Sequence, residues 1–347
     1  MANAGYDVYL VAQGETYEKN GVHIVGFGPK RSSRLQRMLF TTRLAYQKAL
    51  AVDADIYHLH DPELLPYGMK LKHRGKKVIF DSHEKYTEQI RCKGYLPNWC
   101  RSLIAACYGA YERFVLKRID GLVFPSPLRG KNPFEGQCRN FTFLSNVPRM
   151  EELYHQYNAH TQKYERSLVH VGVLSYTRGI THLVQAAAQS ECTVYLAGAF
   201  SPASYQTEVE TLPEFSHAEY LGKLDRPAVA DLLQKCQIGI ATLLNVGQYN
   251  QFNCLATKVY EYMSLGLPVI LTRSSYNETV VEQYQFGICV DPENIEEISN
   301  AIRYLFDHPD EARRMGENGR RAIREEFNWS IEEQKLFSLY KTILTEK

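Results

Sequence analysis

Short apolar runs alternate with longer helical stretches along the whole chain. In the first half, 7–12 (DVYLVA), 22–27 (VHIVGF), 56–60 (IYHLH), 77–82, 121–126 and 141–146 read as strands. Six more follow at 168–173, 192–198, 218–223, 238–243, 267–272 and 287–291. Many are apolar almost throughout, the pattern of a parallel strand covered on both faces. Helical spacing fills the intervals, as at 31–50, 101–118, 180–190 and 226–236. Two helical segments, 309–326 and 330–346, close the chain with Trp329 between them. Repeated βα alternation predicts α/β architecture, with parallel sheets carrying helices on both faces.

At 347 residues the chain is too long for one ordinary core and divides into two domains. The polar, aromatic stretch 148–166 has no strand pattern and marks the join. The predicted domains are 1–150 and 167–328, with a linker at 151–166 and a terminal helix at 329–347. Composition is that of a globular protein, 44% hydrophobic and 23% charged. The net charge of +1 conceals an asymmetry. Residues 1–150 hold 23 Lys/Arg against 13 Asp/Glu, and residues 151–347 hold 17 against 26. A basic first half suits an anionic partner such as a lipid phosphate or a membrane surface, or attraction to the acidic second half. The eight cysteines form no CxxC pair, which argues against a zinc site or a disulfide scaffold and for free thiols in the cytoplasm. No run of about 18 uncharged apolar residues predicts a spanning helix. The N-terminus lacks the order of a signal peptide.

The most informative segment is 257–272, TKVYEYMSLGLPVILT. Thr257 is the predicted N-cap, good helix formers follow, and Gly266 with Pro268 stops the helix before a buried strand. A helix start offers unpaired N–H groups and a positive dipole end, which suit a diphosphate. Glu261, one turn further in, is placed to accept hydrogen bonds from ribose hydroxyls. Together they predict a nucleotide-sugar site.

This segment, with GVLSYTRG at 172–179, resembles the retaining glycosyltransferases of the GT-B type, family 4. The resemblance implies two Rossmann-like domains whose parallel sheets face across a cleft, with the donor bound by the second domain. It implies that Glu261 binds the donor ribose. Asn253 stands where the family has a second glutamate, and it is the expected sugar contact, in a loop spanning 245–256. Val173 replaces an arginine that faces the diphosphate, and Arg178 occupies the position of a lysine beside it. Arg178, Thr257 and Lys258 are the expected diphosphate contacts, with Lys258 supplying the missing charge. Such domains open with a strand and a glycine-containing loop ahead of the strand at 7–12. That strand is expected to be missing here.

Two first-half motifs end strands in polar residues: IYHLHDPELL with His58, His60 and Asp61, and KVIFDSHEKY with Asp81, His83 and Glu84. Ligands of open α/β sheets bind beyond the carboxyl ends of strands. His58 and His60 alternate and share one face, so one of them can be a satisfied core histidine. By resemblance, His83 approaches the transferred sugar, with weaker roles for His60 and Asp61. Composition allows a metal site built from these residues, but no helical HxxxH or HExxH supports it. No metal is expected for the transfer, because the helix N-terminus and cations neutralise the leaving diphosphate. Asp53-Ala54-Asp55 precedes its strand, the wrong end for a ligand, and reads as a loop cap. No GxGxxG follows a strand, which argues against a dinucleotide dehydrogenase. The helix 31–50 carries Arg31, Arg34, Arg37 and Lys48 beside an apolar stripe. It reads either as a membrane-surface helix near a lipid-linked acceptor or as an ordinary domain helix. Nucleic acid is not an expected partner.

The expected activity is transfer of a sugar from a nucleoside-diphosphate sugar to a hydroxyl of a glycan or lipid-linked acceptor, with retention and without a cofactor. It would take place in the cytoplasm or on the inner face of the membrane. Two alternatives stay open: a non-catalytic nucleotide-sugar-binding scaffold subunit, and an epimerase of the same fold.

Overall fold

A computed structural model describes residues 1–28, 40–92, 97–247 and 250–346. The chain separates into two compact units. The first comprises Met1–Pro125, Phe134–Phe143 and Leu336–Lys347; the second comprises Ser126–Pro133 and Leu144–Lys335. The chain therefore passes from the second unit to the first inside its last helix, Trp329–Thr345.

Among the described residues, the second unit holds six parallel strands: β8 (Ser167–Val171), β9 (Thr193–Ala197), β10 (Ala218–Gly222), β11 (Ile238–Ala241), β12 (Val269–Thr272) and β13 (Gly287–Val290). Their order is β10-β9-β8-β11-β12-β13. This is the doubly wound arrangement, with its direction of winding reversing between β8 and β11. Side chains of successive residues enter different cores. Val169, Val171, Val269 and Leu271 pack on one face, and Leu168, Ile240 and Ile270 on the other. Burial on both faces is what the uninterrupted apolar runs predict.

The first unit contains β1 (Val8–Ala12), β2 (Tyr17–Lys19), β3 (Val22–Gly26), β4 (Ile56–Leu59), β5 (Lys77–Asp81), β6 (Gly121–Phe124) and β7 (Asn140–Phe143). They form two sheets, β1-β3-β2 and the parallel β4-β5-β6-β7. The pattern reading did not separate β2, which pairs antiparallel to β3. The hairpin turns on Asn20 and Gly21, with φ of 53° and 72°. Asn-Gly is the dipeptide that accepts two left-handed residues, so the signal was present in YEKNGVHI. Of the basic segment 31–50, residues 31–39, including Arg31, Arg34 and Arg37, lie outside the described residues; a helix spans Thr42–Val52. Asp53 ends that helix in a left-handed conformation, and its carboxylate meets Lys76 at 2.8 Å. No described helix is long and apolar enough to cross a membrane.

Candidate active site

In the second unit the polar residues gather where the winding reverses, at the carboxyl ends of β8 and β11. The helix Thr257–Ser264 leads from the loop after β11 into β12. Its start corrects the sequence reading: Ala256, with extended backbone, is the N-cap, and Thr257 is the first helical residue. No side chain caps this end. Thr257 is exposed there, whereas Lys258, Val259 and Tyr260 are buried. Glu261 is largely shielded, and its Oε1 accepts a hydrogen bond from Arg226 Nη1 at 2.7 Å.

Lys258, expected among the diphosphate contacts, is 8% exposed, and its Nζ lies 2.6 Å from His170 Nε2. Its apolar stem follows the buried helix face, which carries the amine inward. His170, on β8, is fully buried, and its Nδ1 lies 3.1 Å from the Ile240 carbonyl. A carbonyl only accepts, so Nδ1 carries the hydrogen and Nε2 receives one from the lysine. Burial, reinforced by the positive charge of Lys258, pushes the His170 pKa well below its usual range. Burial also lowers the Lys258 pKa strongly. Arg178 adds to that effect and Glu261 opposes it. One turn on, Tyr262 Oη accepts from the Val171 amide at 3.2 Å, so the helix grips β8 at two successive turns.

Two glycines shape the rim. Gly172 has φ of +110°, and a Cβ there would stand 3.5 Å from Lys258 Nζ. Gly179 has φ of +76°, and a Cβ would fall 2.1 Å from the Thr242 carbonyl oxygen. The short turn Tyr176–Arg178 thus packs directly on the end of β11, holding Arg178 half-buried near Lys258. Val173 is 47% exposed. Asn253 is anchored: its Oδ1 accepts from the Gly130 amide at 3.1 Å, and its own amide donates to the Pro127 carbonyl at 2.8 Å. Sequence reasoning passed over His170 and Arg226, because only folding brings them beside Lys258 and Glu261.

In the first unit, the parallel register sets Leu59 against Phe80 and so brings His60 level with Asp81. His60 Nδ1 is 3.4 Å from Asp81 Oδ2, and His58 Nε2 is 3.7 Å from the same oxygen. The rings of His58 and His60 stack at 4.8 Å, and that of His83 stacks on His60 at 5.8 Å. His60 and His83 are exposed, whereas His58 is mostly buried and meets Tyr340 Oη through Nδ1 at 2.6 Å. Burial lowers the His58 pKa. Burial pushes Asp81 upward, but His58 and His60 outweigh it and hold the carboxyl well below its usual range. Asp61 is exposed at the start of the short turn Pro62–Leu64.

Residues 140–322 match the family model described as glycosyl transferases group 1, and residues 1–128 match that of glycosyltransferase family 4. The chain belongs to the group 1 glycosyltransferases. Its fold is GT-B. A sucrose-phosphate synthase from Thermosynechococcus elongatus superposes with a TM-score of 0.76 at 16% identity, over 99% of this chain and 90% of the other. The Anabaena protein HepE, solved in complex with UDP-glucose, gives 0.66 at 13% identity, covering 92% and 86%. At such identities the likeness concerns the fold. In sequence, 82 residues are 30% identical to an MMP α-(1→4)-mannosyltransferase of Mycolicibacterium hassiacum. That match covers 23% of this chain and spans only 20% of the mannosyltransferase.

Proposed function

We propose that this glycosyltransferase moves a hexosyl group from a nucleoside-diphosphate sugar to a hydroxyl of a glycan or lipid-linked acceptor, with retention, in cytoplasmic polysaccharide or glycolipid assembly. One observation carries the reading. A helix with an exposed first residue begins where the doubly wound sheet reverses, and a shielded carboxylate lies one turn inside it. The amides at Thr257 would receive the diphosphate, and Glu261 would exchange Arg226 for the ribose hydroxyls. Arg178 would pair with phosphate oxygens. Lys258 would act from beneath Gly172 and not by surface contact, its charge favoured once an anion arrives. Fixed donors of this kind neutralise a leaving diphosphate without a metal at that site. On the acceptor side, exposed His83 would approach the reacting sugar, with His60 and Asp61 beside it.

A second reading has its own observation. Asn253 is already engaged with Gly130, and Val173 brings no charge to the rim. These favour a subunit that binds a nucleotide sugar without transferring it. The deciding experiment is a thermal-shift panel of UDP, GDP, ADP and their sugars, on the wild type and on Glu261→Ala. One nucleotide series should raise Tm, and the variant should bind it about 10–100-fold more weakly, the worth of a charge-assisted hydrogen-bond pair. If no nucleotide moves Tm, the donor-site reading fails. Binding without transfer or hydrolysis supports the second reading.

A further inference from the structure

We propose that His58, His60 and Asp81 form a binding site for one divalent metal ion of the imidazole-preferring class, such as Zn²⁺ or Co²⁺. The proposal does not rest on the donor site. Alternation along β4 puts residues 58 and 60 on one face, and the pairing with β5 delivers Asp81 to the same point. One potential ligand atom from each residue lies within 4.8 Å of the other two. Two of those separations are 3.4 and 3.7 Å. Tetrahedral nitrogen and oxygen ligands about 2.0–2.1 Å from zinc stand about 3.3 Å apart, so the two carboxylate–imidazole separations are close to the required spacing, and the third pair lies within 4.8 Å.

The sharper observation is His58 Nε2. It is fully enclosed and has no hydrogen-bond partner. Its other nitrogen is held by Tyr340 Oη at 2.6 Å. If Nδ1 donates to that hydroxyl, Nε2 presents a bare lone pair to an ionised carboxylate, which is repulsive unless a cation lies between them. If Nε2 carries the hydrogen instead, 3.7 Å is too long for a sound bond to Asp81. A metal ion removes the conflict in the first case. Tyr340 then acts as the outer partner that fixes the tautomer and aims the ring. Among the described residues, the Asp81 carboxylate lies beside these two imidazoles and forms no ion pair with a lysine or arginine. Exposed His60 leaves the remaining coordination positions to water. An ion here would occupy His60 and leave His83 as the histidine of this group facing solvent.

The chelator-stripped full-length chain, titrated with Co²⁺, tests this. Visible d–d bands should saturate at one ion per chain, and Zn²⁺ should displace them. His60→Ala, at an exposed position, should lose the bands or weaken affinity at least about a hundredfold, with Tm showing that the variant is folded. Tyr340→Phe keeps all three ligands and should weaken affinity about tenfold or more. Asp81→Asn should behave like His60→Ala. Equal Co²⁺ binding by the wild type and these variants would mean an adventitious ion only on other histidines, and would overturn the site. So would the absence of saturable bands in the wild type. Nucleotide-induced shifts in Tm, measured on the same stripped protein, report on the donor site separately.

Discussion

Lys85 of the first unit is largely shielded and Lys258 of the second is buried, and the two are treated oppositely. In the first unit, Lys85 reaches Glu112 Oε2 at 3.4 Å. Its amine also stands 3.6 Å from the centre of the Phe134 ring, and Tyr108 Oη donates to the same carboxylate at 3.1 Å. Glu112 is 1% exposed. That charge is matched inside the protein. In the second unit, Lys258 meets a neutral imidazole, and among the described residues its amine pairs with no carboxylate. A matched pair is complete without a ligand. An amine supported only by histidine is one that an arriving diphosphate would charge. The difference makes Lys85 part of the architecture and, under the proposed function, leaves Lys258 as the amine that a diphosphate would meet.

The largest effect should come from breaking the matched pair. Glu112→Ala removes the buried carboxylate from a largely shielded ammonium and should cost about 3 kcal/mol in chemical denaturation. Replacing both partners, with Lys85→Met and Glu112→Leu, should recover most of that loss. If the single variant is as stable as wild type, Lys85 does not depend on the carboxylate, and the contrast disappears.

A smaller, pH-dependent effect should mark Lys258. Its folded pKa lies well below that of the unfolded chain, so the folded state binds fewer protons between the two values. Stability therefore rises with pH across that window, by up to about 1.4 kcal/mol per pH unit for one proton. Lys258→Met lacks this term. The Tm advantage of the variant over wild type should shrink, or reverse, between about pH 7.5 and 10. A difference in Tm that stays flat over this range would show that the amine is not held neutral. Low pH is avoided because His170, also depressed, titrates on the acid side.

The smallest effect concerns Arg226, which is 57% exposed where it pairs with Glu261. Arg226→Ala should change stability by only about 0.2–1 kcal/mol, because exposed pairs are screened. Nucleotide binding should survive, since Glu261 remains. Its loss in Arg226→Ala would make the arginine part of the donor site.

The strands other than β2 were legible, most plainly β8, β11 and β12, because uninterrupted apolar runs have few other uses than a strand covered on both faces. The corner 257–272 was legible for a related reason: helix formers, a glycine stop and a buried strand follow one another within sixteen residues. The helix cap was misplaced by one residue, since Thr257 has the right chemistry but Ala256 has the extended backbone. The orientation of Lys258 was not legible. It depends on His170, 88 residues earlier in the chain. The relation of His58 to Tyr340 spans 282 residues, and no local spacing encodes it.

The sequence by itself determined which segments become strands and helices, and which residue types stand at their carboxyl ends. Periodicity and turn chemistry act over a few residues, so they can be read locally. Only the tertiary structure decided that one lysine receives a carboxylate and the other an imidazole, and that two histidines and an aspartate converge. Those outcomes depend on strand order and register, which bring distant residues within a few ångströms and set the cost of each buried charge.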